Sequence, residues 1–535
     1  MLMRFRLLLP ATALLLGACA SQPLVTQRDS LLPGPSAHTK PEQISAPTML
    51  ASAQPLAGIL SDTPLAPEPV GLWESMRRNF GLPSRNDKRV QAQRNWYARH
   101  PEYMRRVSQR ASRYAAHILQ QVEQRGMPAE IALLPVVESA YDPFAYSHGR
   151  AAGLWQFIPG TGKRFGLKQD WWYDGRRDLL ESTRAALDYL EYLHKRFDDD
   201  WLLALAAYNS GEGTVGKAIR RNRKKGKPTS FWDLDLPKET RAYVPKLIAL
   251  KQLVNSPEKY DVVLTPIDRQ VPFEVIETGG QIDLAIAAEL AGMELDSLYR
   301  FNSGFNQWAT PPKGPHRLLI PKAQAESFRA AIAALPPEKR IQWVRHKVAK
   351  GQTLGHIARR YHTTVDALKA ANQIRGHAIR AGKHLLVPVS STGQEKYRLS
   401  ASQRLNRKQN ASRKGQRGQH IVTRGDTFWD LSQTYKVSVR KLASWNGMAP
   451  GDPLRVGQKL VLWTNQPSRN SSHPGAQRRA VNYTVRRGDS LARISSRFKV
   501  RITDLRRWNG LPKKGYLQPG QRLKLFVDVT RQTGT

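Results

Sequence analysis

One glutamate stands where the chain could perform acid–base chemistry. An apolar run from Ile131 to Val137 ends in Glu138, and Ser139 follows at once. Burial at the end of an apolar helix disfavours a charged carboxylate, so the pKa of Glu138 should rise toward neutral. A carboxylic acid that stays protonated near neutral pH can act as the general acid that breaks a glycosidic bond. The alternative is that Glu138 is an ordinary surface residue at a helix end.

The segment 87–260 should position this glutamate. Its apolar residues recur at helical spacing, and no alternating strand pattern interrupts them. Pro101 fits the first turn of a helix that runs to Arg125, and Pro128 starts the helix that carries the glutamate. Asp142, followed by a proline, should end that helix. We therefore predict a compact all-α domain over residues 87–260.

Four short motifs follow one another in this segment: Glu138-Ser139, Gly153-Leu154-Trp155-Gln156, Ala207-Tyr208-Asn209 and Glu239-Thr240-Arg241-Ala242-Tyr243-Val244. Their order and separations resemble the soluble lytic transglycosylase family, whose catalytic domain is lysozyme-like. The flanking stretches 147–161 and 171–178 resemble its membrane-bound type D branch. The resemblance implies that Glu138 is the sole catalytic acid/base. It also implies a set of substrate-binding residues: Ser139, Ser147, Gly153, Gln156, Tyr208, Asn209 and Tyr243.

Each of these motifs also has a purely structural interpretation. Trp155 and Tyr208 could be core aromatics, and Gln156 could cap a loop. Gly153 could simply supply a turn with positive φ. The other nearby carboxylates have ordinary places at helix ends: Glu239, Asp142 and Asp178.

The resemblance implies a mechanism with one carboxylate, whereas most glycosidases use two. Glu138 would protonate the oxygen between N-acetylmuramic acid and N-acetylglucosamine, and the substrate's own N-acetyl group would stabilise the sugar cation. The ionised Glu138 would then accept the proton of the muramoyl 6-hydroxyl group, whose attack gives a 1,6-anhydromuramoyl end. The sequence has no metal-ligand cluster, and we expect no cofactor. Two rivals remain open: a true lysozyme on the same fold, and a wall-binding scaffold without catalysis.

Beyond residue 260 the chain contains three internal repeats, 343–388, 418–463 and 481–527, which we number repeats 1 to 3. Each has a strand, a Gly, two helical patterns, an Asn at a fixed offset from that Gly, and a second strand. They resemble the LysM module, which implies a βααβ fold and binding to N-acetylglucosamine-containing glycans. The repeated Asn could be a sugar ligand or a turn cap: Asn372, Asn446 and Asn509.

Residues 261–335, which we call the leading unit, carry a similar pattern with an insertion. They are either a degenerate LysM-like unit or a structural collar on the catalytic domain. The linkers 389–417 and 464–480 are rich in Ser, Asn, Gln, Lys and Arg and have no apolar period, so we predict disorder there. The predicted fold class is multidomain α+β: an all-α lysozyme-like catalytic domain followed by small βααβ LysM modules on flexible linkers.

The 535 residues carry a formal net charge of +41, so we expect an anionic partner. The peptide carboxylates of the cell wall and anionic lipid head groups both qualify. Nucleic acid also fits the charge. Two features argue against it: residues 1–18 have the layout of an export signal, and no nucleic-acid-binding motif is recognised in the sequence.

The N-terminus has the layout of an export signal. In residues 1–18, Arg4 and Arg6 precede an apolar run that is too short to span a membrane. The chain has one cysteine, Cys19, so no intrachain disulfide is possible. The residues that lead up to Cys19 resemble a bacterial lipobox. This resemblance implies cleavage before Cys19 and lipidation of its thiol and its new amino group. Ala20, by resemblance to lipoproteins of Gram-negative bacteria, implies sorting to the outer membrane, facing the periplasm. The alternative is a cleaved signal with an incidental cysteine.

Residues 19–86 are rich in proline and should form a flexible tether. Near its end, Leu72, Trp73, Met76 and Phe80 recur at helical spacing. This spacing predicts a short helix that docks on the catalytic domain.

Overall fold

The computed structural model describes residues 71–464, 478–498, 500, 502–512 and 517–528. The predicted signal peptide, the predicted lipidation site Cys19 and the tether before residue 71 lie outside the described residues. Most of the 464–480 linker does as well. Within the described ranges, no helix combines the length and the apolar character needed to cross a membrane.

The described chain up to residue 260 is helical, as predicted. Its helices are α1 Leu72–Arg78, α2 Lys88–Ala98, α3 Pro101–Ala111, α4 Ala115–Gln124, α5 Leu134–Ser139, α6 Pro159–Arg164, α7 Leu179–Arg196, α8 Trp201–Ser210, α9 Glu212–Arg223 and α10 Lys238–Asn255. Short 3₁₀ turns lie at Ala129–Leu133, Phe231–Asp233 and Glu258–Tyr260. Helix α10 packs against α2 and α8, and one apolar core is continuous through the domain.

Two local predictions meet different outcomes. The predicted docking helix is present as α1. Leu72 and Met76 on this helix are fully buried in the core of the domain, so the helix docks there. The single helix predicted from Pro101 to Arg125 is instead two helices, α3 and α4. Tyr114 leaves the helical conformation between them, with φ −128°, and its hydroxyl donates to the carbonyl of Arg300 over 2.9 Å.

The rest of the described chain is built mainly from four βααβ units. Their elements are β1 Phe273–Glu277, α11 Leu284–Leu290, α12 Leu295–Phe301 and β2 Arg317–Pro321; β3 Gln342–Lys347, α14 Leu354–Arg360, α15 Val365–Ala371 and β4 His384–Val389; β5 Gln416–Ile421, α17 Phe428–Thr434, α18 Val439–Trp445 and β6 Lys459–Thr464; β7 Arg478–Thr484, α19 Leu491–Arg497, α20 Ile502–Asn509 and β8 Arg522–Asp528. The two strands of each unit pair antiparallel. Two further helices connect units, α13 Lys322–Ala334 and α16 Ala401–Asn410. Short 3₁₀ turns lie at Pro337–Lys339 and Gln394–Lys396.

The repeated Asn joins the second helix of each unit to its last strand. In repeat 2, Asn446 Nδ2 donates to the carbonyls of Leu442 and Val461, both at 2.8 Å, and its Oδ1 accepts from Val461 N over 2.7 Å. Asn372 and Asn509 make the same pattern in repeats 1 and 3. The amide is therefore committed to the fold, which favours the structural interpretation.

The leading unit contains the same clamp. Asn302 Nδ2 donates to the carbonyls of Leu298 and Leu319 over 3.0 and 2.9 Å, and Leu319 N donates back to its Oδ1 over 2.8 Å. The shared clamp and the shared βααβ order favour a degenerate LysM-like unit over an unrelated collar.

The first linker is ordered, which differs from the prediction of disorder for residues 389–417. Asp283 of the leading unit accepts hydrogen bonds from Tyr397 Oη at 2.8 Å and from Ser391 N at 2.7 Å. Tyr397 is fully buried, and α16 follows. The composition of the linker is polar, but its few aromatic and aliphatic residues find partners on neighbouring units.

Candidate active site

Glu138 lies at the end of a short helix whose start is set by a proline. The predicted helix is a 3₁₀ turn, Ala129–Leu133, followed by α5, because Pro135 occupies the first turn of α5 and has no N–H to continue the earlier one. Ala140 and Tyr141 then take left-handed φ angles of 51° and 54°, which end α5. Tyr141 is buried, so the turn that follows Glu138 is anchored in the core.

The carboxyl group of Glu138 contacts the hydroxyl of Tyr243 on α10. Tyr243 donates to Glu138 Oε1 over 2.5 Å. Glu138 as a whole residue is half-buried, so solvent still reaches part of it. Its carboxyl group is surrounded by protein atoms, and this burial has the largest effect on its pKa. Burial raises the pKa of Glu138 to about 7; the Tyr243 bond opposes the rise, the charge of Glu239 adds to it and that of Lys246 opposes it. The rise has the direction expected from the sequence.

Tyr243 remains a hydrogen-bond donor at neutral pH. It is buried, and burial together with the charge of Glu138 holds its pKa well above the usual value for tyrosine. Lys246 was missed in reading the sequence, although it lies three residues after Tyr243 and so on the same face of α10.

The Gly153–Gln156 turn is fastened to α5 on one side and to the 174–177 loop on the other. Ser139 Oγ lies 2.9 Å from the carbonyl of Leu154 and 3.1 Å from that of Pro135, so it holds the turn against α5. Gly153 has φ +81°, and a Cβ atom there would lie 1.9 Å from the carbonyl oxygen of Arg176. Only glycine fits this position.

The structural alternatives for Trp155 and Gln156 agree with the observed contacts. Trp155 is fully buried, and its Nε1 donates to Thr183 Oγ1 over 3.1 Å. Gln156 has φ +48°, and its Nε2 donates to the carbonyl of Gly153 over 2.8 Å, so the side chain caps its own turn.

The Tyr208-Asn209 motif ends α8 next to the glutamate. Tyr208 Oη donates to the carbonyl of Trp155 over 2.8 Å. Burial first, and then the charge of Glu138, raise the pKa of Tyr208 well above its usual value. Asn209 Oδ1 accepts from Thr240 Oγ1 over 2.8 Å and so ties α8 to α10.

A short loop, residues 145–152, which we call the flap, lies between α5 and the glycine turn in the chain. Ser147 Oγ accepts from the N–H groups of Gly149 at 3.2 Å and Ala151 at 3.1 Å, so this hydroxyl organises the loop itself. Tyr146 and Ala152 form an antiparallel bridge at the base of the flap.

A buried ion pair supports the flap from below, and sequence reading missed it. Arg176 Nη2 and Asp174 Oδ2 lie 2.8 Å apart, with side chains 7% and 8% exposed. Burial opposes ionisation of Asp174, but the bonds from Arg176 and the charge of Arg177 outweigh it and lower the pKa of Asp174. Arg176 Nη1 also donates to the carbonyl of Arg150 over 2.8 Å, which fixes the flap.

The other carboxylates take the structural roles considered above. Asp178 caps α7 by accepting from the backbone N–H of Glu181 over 2.9 Å, and it pairs with Arg317 at 3.2 Å. Asp142 accepts from a backbone N–H two residues on, over 2.9 Å. Glu239 is exposed in the first turn of α10. Among the described residues, no group of three or more His, Cys, Asp or Glu is placed to hold a metal ion.

Comparison with known proteins assigns a family to this architecture. Residues 116–231 match the Transglycosylase SLT domain, and residues 272–336 match the LysM-like domain of the lytic transglycosylase MltD. Residues 346–388, 420–463 and 483–526 match the LysM domain. The membrane-bound lytic murein transglycosylase D of Escherichia coli strain K12 is 34% identical over 465 residues, which cover 87% of this chain and 87% of that protein. The chain therefore belongs to the family of membrane-bound lytic murein transglycosylase D.

Other relatives cover less of this lytic transglycosylase. An autolysin of Enterococcus faecalis is 31% identical over 195 residues, 35% of this chain and 25% of that protein. The solved structure of the lytic transglycosylase Slt of Pseudomonas aeruginosa is 24% identical over 28% of this chain and 24% of that chain. Its TM-score is 0.22, which is too low to bear on the fold.

The family matches divide the described site unevenly. The transglycosylase match includes Glu138, the glycine turn and the Tyr208-Asn209 motif, whereas Tyr243 lies beyond its last residue. The LysM-like match covers β1 to β2, which agrees with the Asn302 clamp in the leading unit.

Proposed function

We propose that this lytic transglycosylase cleaves the β-1,4 bond between N-acetylmuramic acid and N-acetylglucosamine in peptidoglycan and leaves 1,6-anhydromuramoyl ends. The observation that carries the proposal is the carboxyl group of Glu138, held by Tyr243 at 2.5 Å, with a pKa near 7. Asp174 and Asp178 are committed to ion pairs and a helix cap. Asp142 accepts from a backbone N–H, and Glu239 is exposed in the first turn of α10. Glu138 is therefore the one acid/base group of this proposal, where most glycosidases use two.

In the first step, protonated Glu138 donates its proton to the oxygen that links the two sugars. The bond from that oxygen to the muramoyl C1 breaks, and the oxygen leaves as a hydroxyl on N-acetylglucosamine. The N-acetyl carbonyl oxygen of the muramoyl residue stabilises the positive charge at C1. A pKa of about 7 keeps a large fraction of Glu138 protonated near neutral pH, as a general acid requires.

In the second step, Glu138 is a carboxylate and accepts the proton of the muramoyl 6-hydroxyl group. O6 then bonds to C1 and closes the anhydro ring, and Glu138 is protonated again. No water is consumed and no cofactor is needed. Tyr243 stabilises the carboxylate that exists between the two steps, because a hydrogen bond to a charged acceptor is stronger than one to a neutral acceptor.

We propose that seven residues bind the glycan or shape the surface that binds it: Ser139, Ser147, Gly153, Gln156, Tyr208, Asn209 and Tyr243. Several of them bond to neighbouring backbone, so their contribution is to fix the shape of the surface. Tyr243 acts most directly, since its hydroxyl donates to Glu138 Oε1. Burial and the charge of Glu138 keep Tyr208 protonated, so it too can act as a hydrogen-bond donor.

Tyr243→Phe should move the alkaline limb of the pH–rate profile to higher pH. The lost hydrogen bond stabilises the charged form of Glu138, so without it the pKa of Glu138 rises and the general acid stays protonated to higher pH. Initial rates of muropeptide release, measured from acidic to alkaline pH, test this. Glu239→Gln removes a neighbouring negative charge and should move the limb the opposite way. If the limb stays in place in both variants, Glu138 is not the group that titrates.

We propose that the repeats retain the enzyme on peptidoglycan by binding N-acetylglucosamine units, which places it in the cell envelope. Several weak modules on one chain bind a polymer more tightly than each does alone. The net charge of +41 adds attraction to the carboxylates of the wall peptides.

We also propose that Cys19 is lipidated and anchors the mature chain in the outer membrane, facing the periplasm. Cys19→Ser should abolish incorporation of labelled palmitate in growing cells and move the protein from the membrane fraction to the soluble fraction. Separation of inner from outer membranes on a density gradient then locates the wild type. A wild type that takes up no label would contradict the anchor.

A further inference from the structure

Helix α16 connects three parts of the molecule. Its first residue donates a backbone N–H to the carbonyl of Asn306 in the leading unit over 2.7 Å. The guanidinium carbon of Arg404 lies 4.7 Å from the ring centre of Phe144, just before the flap. Near its other end, Gln409 Nε2 donates to Asn446 Oδ1 of repeat 2 over 2.9 Å. Helix α16 therefore contacts the leading unit, the catalytic domain and repeat 2, and it holds repeat 2 next to the catalytic domain.

Repeat 2 touches the flap through one aspartate. Arg150 Nε and Asp452 Oδ1 lie 2.6 Å apart, and Tyr146 Oη donates to Asp452 Oδ2 over 3.3 Å. The Arg150 N–H is not aimed at the oxygen, so this contact is an ion pair and not a hydrogen bond. The Asp452 side chain is 13% exposed, and Ala449 N donates to its Oδ2 over 2.8 Å, so the carboxylate is held on its own side as well.

The flap is thus bonded both to the catalytic domain and to repeat 2. The carbonyl of Arg150 accepts from Arg176 inside the catalytic domain, and the side chain of Arg150 pairs with Asp452 of repeat 2. Arg150 itself has a left-handed φ of 69°, a conformation that a non-glycine residue keeps only where its surroundings enforce it.

The aspartate is specific to the repeat that lies here. The corresponding loops of repeats 1 and 3, residues 373–381 and 510–519, contain no aspartate or glutamate. Acidic residues are half as common as basic ones in this chain, 43 against 84. An aspartate opposite Arg150, present in repeat 2 and absent from the matching loops of repeats 1 and 3, therefore distinguishes repeat 2 from the other two repeats.

We propose that Asp452 is a positioning residue for the reaction, acting through Tyr146 and Arg150, so that repeat 2 is part of the catalytic unit as well as a wall anchor. The inference rests on the proposed function, because it takes the flap to border the bound glycan. A flap released from Asp452 samples more conformations, and a glycan that needs the ordered flap binds more weakly. The effect falls on KM, because the ordered flap contacts ground state and transition state alike.

The test uses the purified full-length enzyme and soluble, uncrosslinked glycan strands. Asp452→Asn should raise KM about tenfold and leave kcat within about twofold, since losing a partly buried charged contact weakens binding by about one order of magnitude. Asp452→Glu should recover part of the loss. Asp366→Asn, an exposed acid in the first turn of α15 in repeat 1, is the matched control and should keep the wild-type KM.

Two further readouts separate positioning from folding and from anchoring. The melting temperature of Asp452→Asn and its co-sedimentation with purified sacculi should equal those of the wild type. The exchanged pair, Arg150→Asp with Asp452→Arg, should have a lower KM than either single variant. An unchanged KM in Asp452→Asn would overturn the proposal, and so would a rise matched by an equal loss of sacculus binding. A wild type without activity would instead contradict the proposed function, and the inference with it.

Discussion

Glu138→Gln should reduce muropeptide release from purified sacculi by about 10³-fold or more, which is the scale of a lost general acid–base group. Glutamine keeps the size of the side chain and can still accept from Tyr243, but it can neither donate the proton to the leaving oxygen nor accept one from the 6-hydroxyl group. Both chemical steps therefore fail in one variant. The rate of soluble product release, normalised to protein bound to the sacculi, is the measurement.

The loss in Glu138→Gln should not come from unfolding. Burial raises the pKa of Glu138, so the native state binds its proton more tightly than the unfolded state, and ionising Glu138 costs stability as the pH rises. Above about pH 7 the uncharged glutamine removes that cost, and the variant should melt no lower than the wild type. Glu239→Gln, an exposed neighbour on α10, should keep its activity within a few-fold. Wild-type rates in Glu138→Gln would remove Glu138 from the mechanism.

Gly153→Ala should destabilise the catalytic domain by about 2–5 kcal/mol, combining overpacking with the strain of a left-handed backbone. The added Cβ would meet the carbonyl oxygen of Arg176 at 1.9 Å, and the φ of +81° suits only glycine. Moving this turn also moves the carbonyl of Leu154, which bonds to Ser139 next to Glu138. We expect calorimetry to show a lower melting temperature for the catalytic domain, and activity assays to show the loss of most of the activity.

Gly160→Ala is the matched control for Gly153→Ala. Gly160 lies in α6 at an ordinary φ, and a Cβ there would meet no atom within 4 Å. Since alanine favours helices over glycine by up to about 1 kcal/mol, this variant should be as stable as the wild type or slightly more stable. If Gly153→Ala melted and reacted like Gly160→Ala, the close approach to Arg176 would be wrong.

Local patterns predicted the helical domain, the docking helix α1 and the environment of Glu138. Each of these depends on residues that are close together in the sequence or on a repeated spacing. The break of the Glu138 helix at Pro135 was also readable, because proline cannot continue the preceding turn. The break at Tyr114 was not, since no proline or glycine marks it; there the tyrosine hydroxyl donates to the carbonyl of Arg300 in another unit.

Contacts between distant parts of the chain were beyond the sequence pattern. The polar composition of residues 389–417 predicted disorder, yet α16 is stabilised by Phe144 and Asn446, which belong to two other units. A short helix gains most of its stability from such packing, which composition cannot reveal. The pairing of Arg150 with Asp452 and the support of the flap by Arg176 are of the same kind. For the LysM-type asparagines, the spacing was visible, but only the bonds to the last strand distinguish a clamp from a ligand.

Mass spectrometry of the muropeptides released from purified sacculi tests the central claim most directly. We predict that the wild-type enzyme releases 1,6-anhydromuramoyl-ended products and that Glu138→Gln, under the same conditions, releases about 10³-fold less of them or an amount below the detection limit. Reducing-ended products from the wild type would mean that water attacks in place of the 6-hydroxyl group, and would contradict the account.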